Sequence, residues 1–236
     1  MARVQSLLLD DCLKLNKESI RFDPCNVRGW VNIGWVHWQR YALGWSGNPE
    51  MELSLAEECA SKADAIDPIH ATTRSLSAWS LAFRGQFSEA VAEAKRGTEL
   101  DSNNGLLWNV LGAMLIRADG ANGGLPSIQR GMALIPQPVG TLLNNFGTAL
   151  VLLHREEEAV PALRRAMGCF RLPLTPAILA AALLGLGRTE EGRITMNEIR
   201  VRDPDFDPIG APHLTRFKNP EFPMRVSQCL RELGWK

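Results

Sequence analysis

The run Trp108-Asn109-Val110-Leu111-Gly112-Ala113-Met114-Leu115, followed by Gly124-x-x-x-Ile128 and closed by Pro136, decides how this chain folds. Its apolar residues recur at three- and four-residue steps, which places them on one face of a helix. Gly112 sits within that face, where the missing side chain lets a second helix come close. The arrangement returns along the chain. Aligned on the crossing residue, the series is Gly34, Ala78, Gly112, Gly147 and Ala180, at steps of 44, 34, 35 and 33 residues. A second series, Pro24, Pro68, Ser102, Pro136, Arg171 and Pro204, ends each unit, because proline cannot continue a helix. The extra length of the first step falls between Tyr41 and Met51. This period predicts an all-α, right-handed solenoid of stacked helix hairpins. Its function then rests on binding surfaces rather than on an enclosed catalytic pocket.

The other units carry the same parts. The first reads Trp30-x-x-Ile33-Gly34-x-x-His37, with Ala56, Ala63 and Pro68. The second supplies Gly85-Gln86-Phe87-Ser88-Glu89-Ala90, a turn and a helix start. The fourth has Phe146-Gly147-x-x-Leu150, and the fifth Leu179-Ala180-x-x-Leu183 before Gly187. Gly85 and Gly187 can take the left-handed conformation that ends a helix. Together these units resemble the tetratricopeptide repeat (TPR), whose signature is W-x2-L-G-x2-Y, A-x3-F and a closing proline.

The expected organisation is a partial repeat at 1–27, five TPR-like units at 28–204 and a Pro-rich link with a capping helix at 205–236. The five units run 28–68, 71–102, 105–136, 140–172 and 174–204. The first segment reads as the second helix of a repeat whose first helix is missing, so its apolar face (Leu8, Leu9, Cys12, Leu13, Ile20) lacks its usual partner. A piece of a longer protein is one expectation from this; a homodimer through that helix is another. In the last helix Val226, Leu230 and Leu233 share one face, as a cap over the final repeat requires.

The enlarged first turn (41–50) and the tail from Asp203-Pro204-Asp205-Phe206 to Trp235 resemble the C-terminal region of bacterial, rhizobial-type proteins that join a class III adenylyl cyclase domain to TPRs. The resemblance implies a regulatory or docking role in a signalling system. It does not extend to cyclase activity, since no residue here matches that family's metal-binding aspartates or purine-recognising positions.

Composition narrows the classes. Twenty-six basic residues balance 26 acidic ones, and the basic residues are scattered, so no nucleic-acid partner is expected. No stretch approaches the roughly 18 apolar residues of a membrane span, and Leu7-Leu8-Leu9 is too short for a signal peptide. Five dispersed cysteines (Cys12, Cys25, Cys59, Cys169, Cys229) read as thiols of a reducing compartment, hence a cytoplasmic protein without a zinc site. His37, His70, His154 and His213 lie in separate units without a nucleophile at suggestive spacing, so the chain is expected not to be an enzyme. Gly120-Ala121-Asn122-Gly123-Gly124 lacks the Gly-Lys-Ser/Thr of a phosphate loop and falls where a turn belongs. No cofactor or metal is expected.

In a TPR array the first helix of each pair lines the concave groove. The predicted partner-binding positions are Val31, Trp35, Trp38, Ser75, Trp79, Asn109, Ile116, Arg117, Asn144 and Thr148. Trp35, Trp38 and Trp79 form either an aromatic anchor for a protein or peptide segment or the inner seam between helices. Asn109 and Asn144 could hydrogen-bond the backbone of an extended peptide. Lys and Arg are too few there to clamp an acidic tail, which favours an apolar or aromatic segment.

Overall fold

The computed structural model describes residues 2–169, 174–204 and 206–235. Among these, thirteen helices follow one another. The first is α1 (Ala2–Phe22). Five hairpins come next: α2 (Val27–Ala42) with α3 (Pro49–Ile66), α4 (Ala71–Phe83) with α5 (Phe87–Leu100), α6 (Gly105–Asp119) with α7 (Ala121–Leu134), α8 (Gly140–Leu152) with α9 (Glu156–Cys169), and α10 (Leu174–Gly185) with α11 (Thr189–Arg202). A short α12 (Pro212–Thr215) and a final α13 (Glu221–Glu232) complete the chain. Arg171 and the expected boundaries at 172 and 205 lie outside the described residues.

The crossing residues explain the hairpins. A side-chain carbon built on Gly112 would stand 2.4 Å from Ile128 and 2.9 Å from the Gly124 carbonyl of α7. One on Gly34 would meet Leu76 at 2.3 Å and Cys59 at 3.1 Å, and one on Gly147 would meet Leu163 at 2.5 Å. Ala78 and Ala180 fill the equivalent places and are fully buried. Helix ends are equally local. Asn26, Asn48 and Asn104 accept from the backbone amides of Gly29, Met51 and Leu106, capping α2, α3 and α6. Gly85 and Gly187 take φ of 80° and 73°, as the turn between paired helices demands. His154 occupies the matching turn with φ of 55°.

Helices α2, α4, α6, α8 and α10 stand side by side as the inner layer, with α3, α5, α7, α9 and α11 outside. At the C-terminal end α13 covers α10, burying Val226, Leu230 and Leu233. At the other end α1 lies on α2, and Ile20 faces Gly29, where an added carbon would be 2.6 Å away. The stripe expected to lack a partner is thus partly used on α2, since Leu9, Leu13 and Ile20 are half-buried. Leu8, Leu15 and Phe22, spaced seven residues apart, are exposed apolar residues of α1.

The enlarged first turn does more than lengthen a loop. Leu43 is buried, and Leu43 and Trp45 join the apolar cluster built from α8 to α13. Trp45 Nε1 donates to Asp203 Oδ2 at 3.0 Å, which ties the first hairpin to the end of the fifth.

Candidate functional site

The inner helices bring Trp35, Trp38, Trp79 and Phe83 into one aromatic cluster. Trp38 meets Trp35 edge-on at 5.2 Å and Trp79 at 5.0 Å, and lies parallel to Phe83 at 5.7 Å. The α2 residues Trp35 and Trp38 and the α4 residue Trp79 project together because each lies one or four places after its crossing glycine or alanine. The cluster joins α2 to α4, and all three tryptophans also line a cavity of about 240 Å³.

That cavity replaces the open trough expected from the repeat pattern. Its roof is the C-terminal segment. The His213 ring stacks on Trp79 at 5.1 Å with the planes 26° apart and meets Trp38 edge-on at 6.0 Å. Phe217 follows four residues later, and its ring faces the Arg117 guanidinium at 4.8 Å. Arg117 also lies over Trp79 at 4.5 Å. Its Nη2 donates to the His213 carbonyl at 3.2 Å and its Nη1 to the Ala113 carbonyl at 3.2 Å. The Arg117 carbonyl in turn accepts from the Lys218 amide at 2.9 Å. One residue of α6 therefore holds both ends of the segment 213–218.

Burial decides the charges here. Arg117 is 3% exposed, and desolvation lowers its pKa to about 9, which leaves it cationic at neutral pH. Its partners are two carbonyls and two aromatic faces, which stabilise a guanidinium without a carboxylate. His213 is pushed well below the usual imidazole range, first by burial and second by the Arg117 charge, so its ring is neutral. Its Nδ1 and the Trp38 Nε1 are both buried without a hydrogen-bond partner among the described residues.

The amides have partners of their own. Asn109 Oδ1 accepts from Asn145 Nδ2 at 3.0 Å, and Asn144 Oδ1 accepts from Thr175 Oγ1 at 2.9 Å. These bonds run from α6 to α8 and from α8 to α10, so the side-chain carbonyls offered to a peptide already hold the inner layer together. Asn109 and Asn144 still line the cavity. Val31, Ser75, Ile116, Arg117 and Thr148 are buried outside its lining. Ile116 packs towards α7 with Leu125 and Ile128, and the Thr148 hydroxyl donates to the Asn144 carbonyl. Sequence reasoning missed His213, Phe217, Thr141 and Asn145. The first two were legible in principle: a link carrying Phe206, Pro208, Pro212, Phe217 and Phe222 is too apolar to lie in water.

Two other histidines serve structure. His37 Nδ1 is 2.6 Å from Glu52 Oε2, joining α2 to α3, and His70 Nδ1 is 3.0 Å from Thr73 Oγ1. Among the described residues, no group of three or more His, Cys, Asp or Glu is placed to hold a metal ion. No described helix is long and apolar enough to cross a membrane.

No family model matches the sequence, and no curated protein matches it either. Solved structures do match the fold. TTC0263, a thermophilic TPR protein of Thermus thermophilus, superposes with a TM-score of 0.64 at 17% identity, covering 87% of this chain and 99% of its own. A chain of the APC/C hetero-tetramer Cut9–Hcn1 gives 0.69 at 16% identity over 96% of this chain. This chain spans 44% of that one's length. At these identities the likeness establishes the TPR solenoid fold alone.

Proposed function

We propose that this chain is a non-enzymatic protein-interaction module whose concave face receives a protein segment. The observation that carries this reading is the grip of Arg117, Trp79 and Trp38 on residues 213–218. It combines two backbone hydrogen bonds with an aromatic anchor, which are the elements by which helical grooves hold peptides. In the docked state the chain's own tail fills that place, and a partner segment of similar aromatic character would replace it. The solved TPR solenoids of the same fold lend general support, since one of them is part of a hetero-tetramer.

The wider role we assign is regulating or scaffolding a cyclase-type signalling system in the cytoplasm, on the strength of the enlarged first turn and the tail. A photo-crosslinking amino acid at Leu106, which is exposed beside the cavity, would capture the partner in cells. Trp35→Ala and Trp79→Ala variants that keep their helical signal should lose the crosslink. Unchanged capture by both would remove the concave-face reading, and a partner without any signalling domain would remove the cyclase link.

A second reading, self-assembly through α1, is favoured by Leu8, Leu15 and Phe22, which are 63%, 64% and 81% exposed at seven-residue spacing. Light scattering that gives a monomer mass at tens of micromolar, a concentration on the scale of ordinary affinities, would dismiss it.

A further inference from the structure

The cavity beneath the tail has the dimensions and chemistry of a small-molecule site, and this use does not depend on any protein partner. Its walls come from all five inner helices, and its roof is His213. With the tail docked, an extended segment running along the concave face would collide with residues 213–217. A compact ligand would not. A cavity of about 150 Å³ holds a benzene ring, so 240 Å³ suits a molecule of about ten non-hydrogen atoms.

The lining chooses the charge of that molecule. Among the described residues, no Asp, Glu, Lys or Arg lines the cavity, and its titratable side chain, His213, is neutral. The nearby cation, Arg117, gives two nitrogens to carbonyls and its face to two rings, and its unpartnered Nε is buried away from the lining. An ionic ligand would therefore enter without a counter-charge in direct contact, at a heavy desolvation cost. Trp35, Trp38 and Trp79 give flat apolar contact, while Gln39, Thr141 and Asn145 add amide and hydroxyl groups. Two wall residues also carry polar atoms with no partner, the Trp38 Nε1 donor and the His213 Nδ1. Both are shielded from solvent in the present packing.

We infer that this cavity binds a small, uncharged, planar molecule with an aromatic ring and an amide-like polar group. Leu106 and Thr141, the exposed members of the lining, mark its entrance. Binding would hold the roof in place, since His213 belongs to both the wall and the docked tail.

Three probes of one shape test the charge rule: neutral benzamide, anionic benzoate and cationic benzamidine. Each is titrated into the full chain while the indole N–H resonances are followed by nuclear magnetic resonance. Benzamide should shift Trp38 and Trp79 saturably, with a dissociation constant in roughly the micromolar to millimolar range expected for so few atoms. Trp30 and Trp108, whose indoles bond the Pro24 and Ser102 carbonyls away from the cavity, should stay still. Benzoate and benzamidine should bind at least tenfold more weakly. Leu106→Phe should weaken benzamide binding at least tenfold, and Thr141→Phe provides the same obstruction should the first variant disturb the fold. The inference is overturned by the absence of saturable shifts with benzamide, by equal binding of the charged probes, or by unchanged binding in a folded entrance variant. A benzamide response with no protein partner would leave this site standing while the proposed interaction fails.

Discussion

Trp45 and Asp203 lie 158 residues apart and share a hydrogen bond of 3.0 Å, so the first turn of the array reaches its last hairpin. Asp203 is 5% exposed, and Leu43 is buried in the same contact region. Neighbouring hairpins in a solenoid touch only in sequence order. This bond is therefore extra to the repeat architecture, and it is what the enlarged turn achieves. Trp45→Phe keeps an aromatic ring and removes the donor. It should cost about 1.5–3 kcal/mol in denaturant unfolding, as expected for a bond to a charged group, and should speed amide exchange across residues 43–48.

The tail makes stability depend on pH through His213. Its folded pKa is depressed, so below the ordinary value of about 6.5 the unfolded chain binds a proton that the folded chain refuses. Its contribution is thus complete above that value and is lost as pH falls towards the folded pKa. The groups facing it are Arg117 and the rings of Trp38, Trp79 and Phe83. His213→Phe preserves the stack and cannot titrate. Between pH 6.5 and 5 the wild-type chain should lose up to about 1.4 kcal/mol per pH unit more than the variant, read by urea unfolding at each pH.

His154 sits at φ 55° in the turn between α8 and α9, where Gly85 and Gly187 stand in other units. A side chain in the left-handed region costs about 1–2 kcal/mol, and the His154 contact with Arg225 at 2.8 Å is largely exposed. His154→Gly should raise stability by up to about 1 kcal/mol once the added freedom of the unfolded chain is counted, seen as a higher urea midpoint with an unchanged slope.

Gly112→Val places carbon 2.4 Å from Ile128 and 2.9 Å from the Gly124 carbonyl. The second contact is backbone and cannot swing away. The variant should lose about 3 kcal/mol or more, whereas Gly123→Ala, which meets only Leu115 at 4.0 Å, should change little. Circular-dichroism melts of the two variants make the comparison.

The fold was legible because its determinant is local and periodic. Gly34, Gly112 and Gly147 announce close crossings, and each crossing involves a helix only tens of residues away. The cap over α10 followed from Val226, Leu230 and Leu233 for the same reason. Of the candidate site only the floor of the cavity was legible. Trp35, Trp38, Trp79, Asn109 and Asn144 could be placed by register, but their roof comes from His213 and Phe217, about a hundred residues beyond Arg117. No period encodes that contact. Arg117 read as a groove cation, yet its buried position between Trp79 and Phe217 depends on the tail's path.

Amide hydrogen exchange at Lys218 tests the central claim, that the concave face grips a chain segment through Arg117. The Lys218 amide donates to the Arg117 carbonyl at 2.9 Å although it lies in no helix. It should exchange far more slowly than an open-chain amide. Arg117→Ala, which keeps the accepting main-chain carbonyl but removes the side-chain hold on the His213 carbonyl and the Phe217 ring, should speed that exchange while the amides of α6 and α8 stay protected. Exchange of Lys218 at the open-chain rate in the wild-type protein would contradict the account.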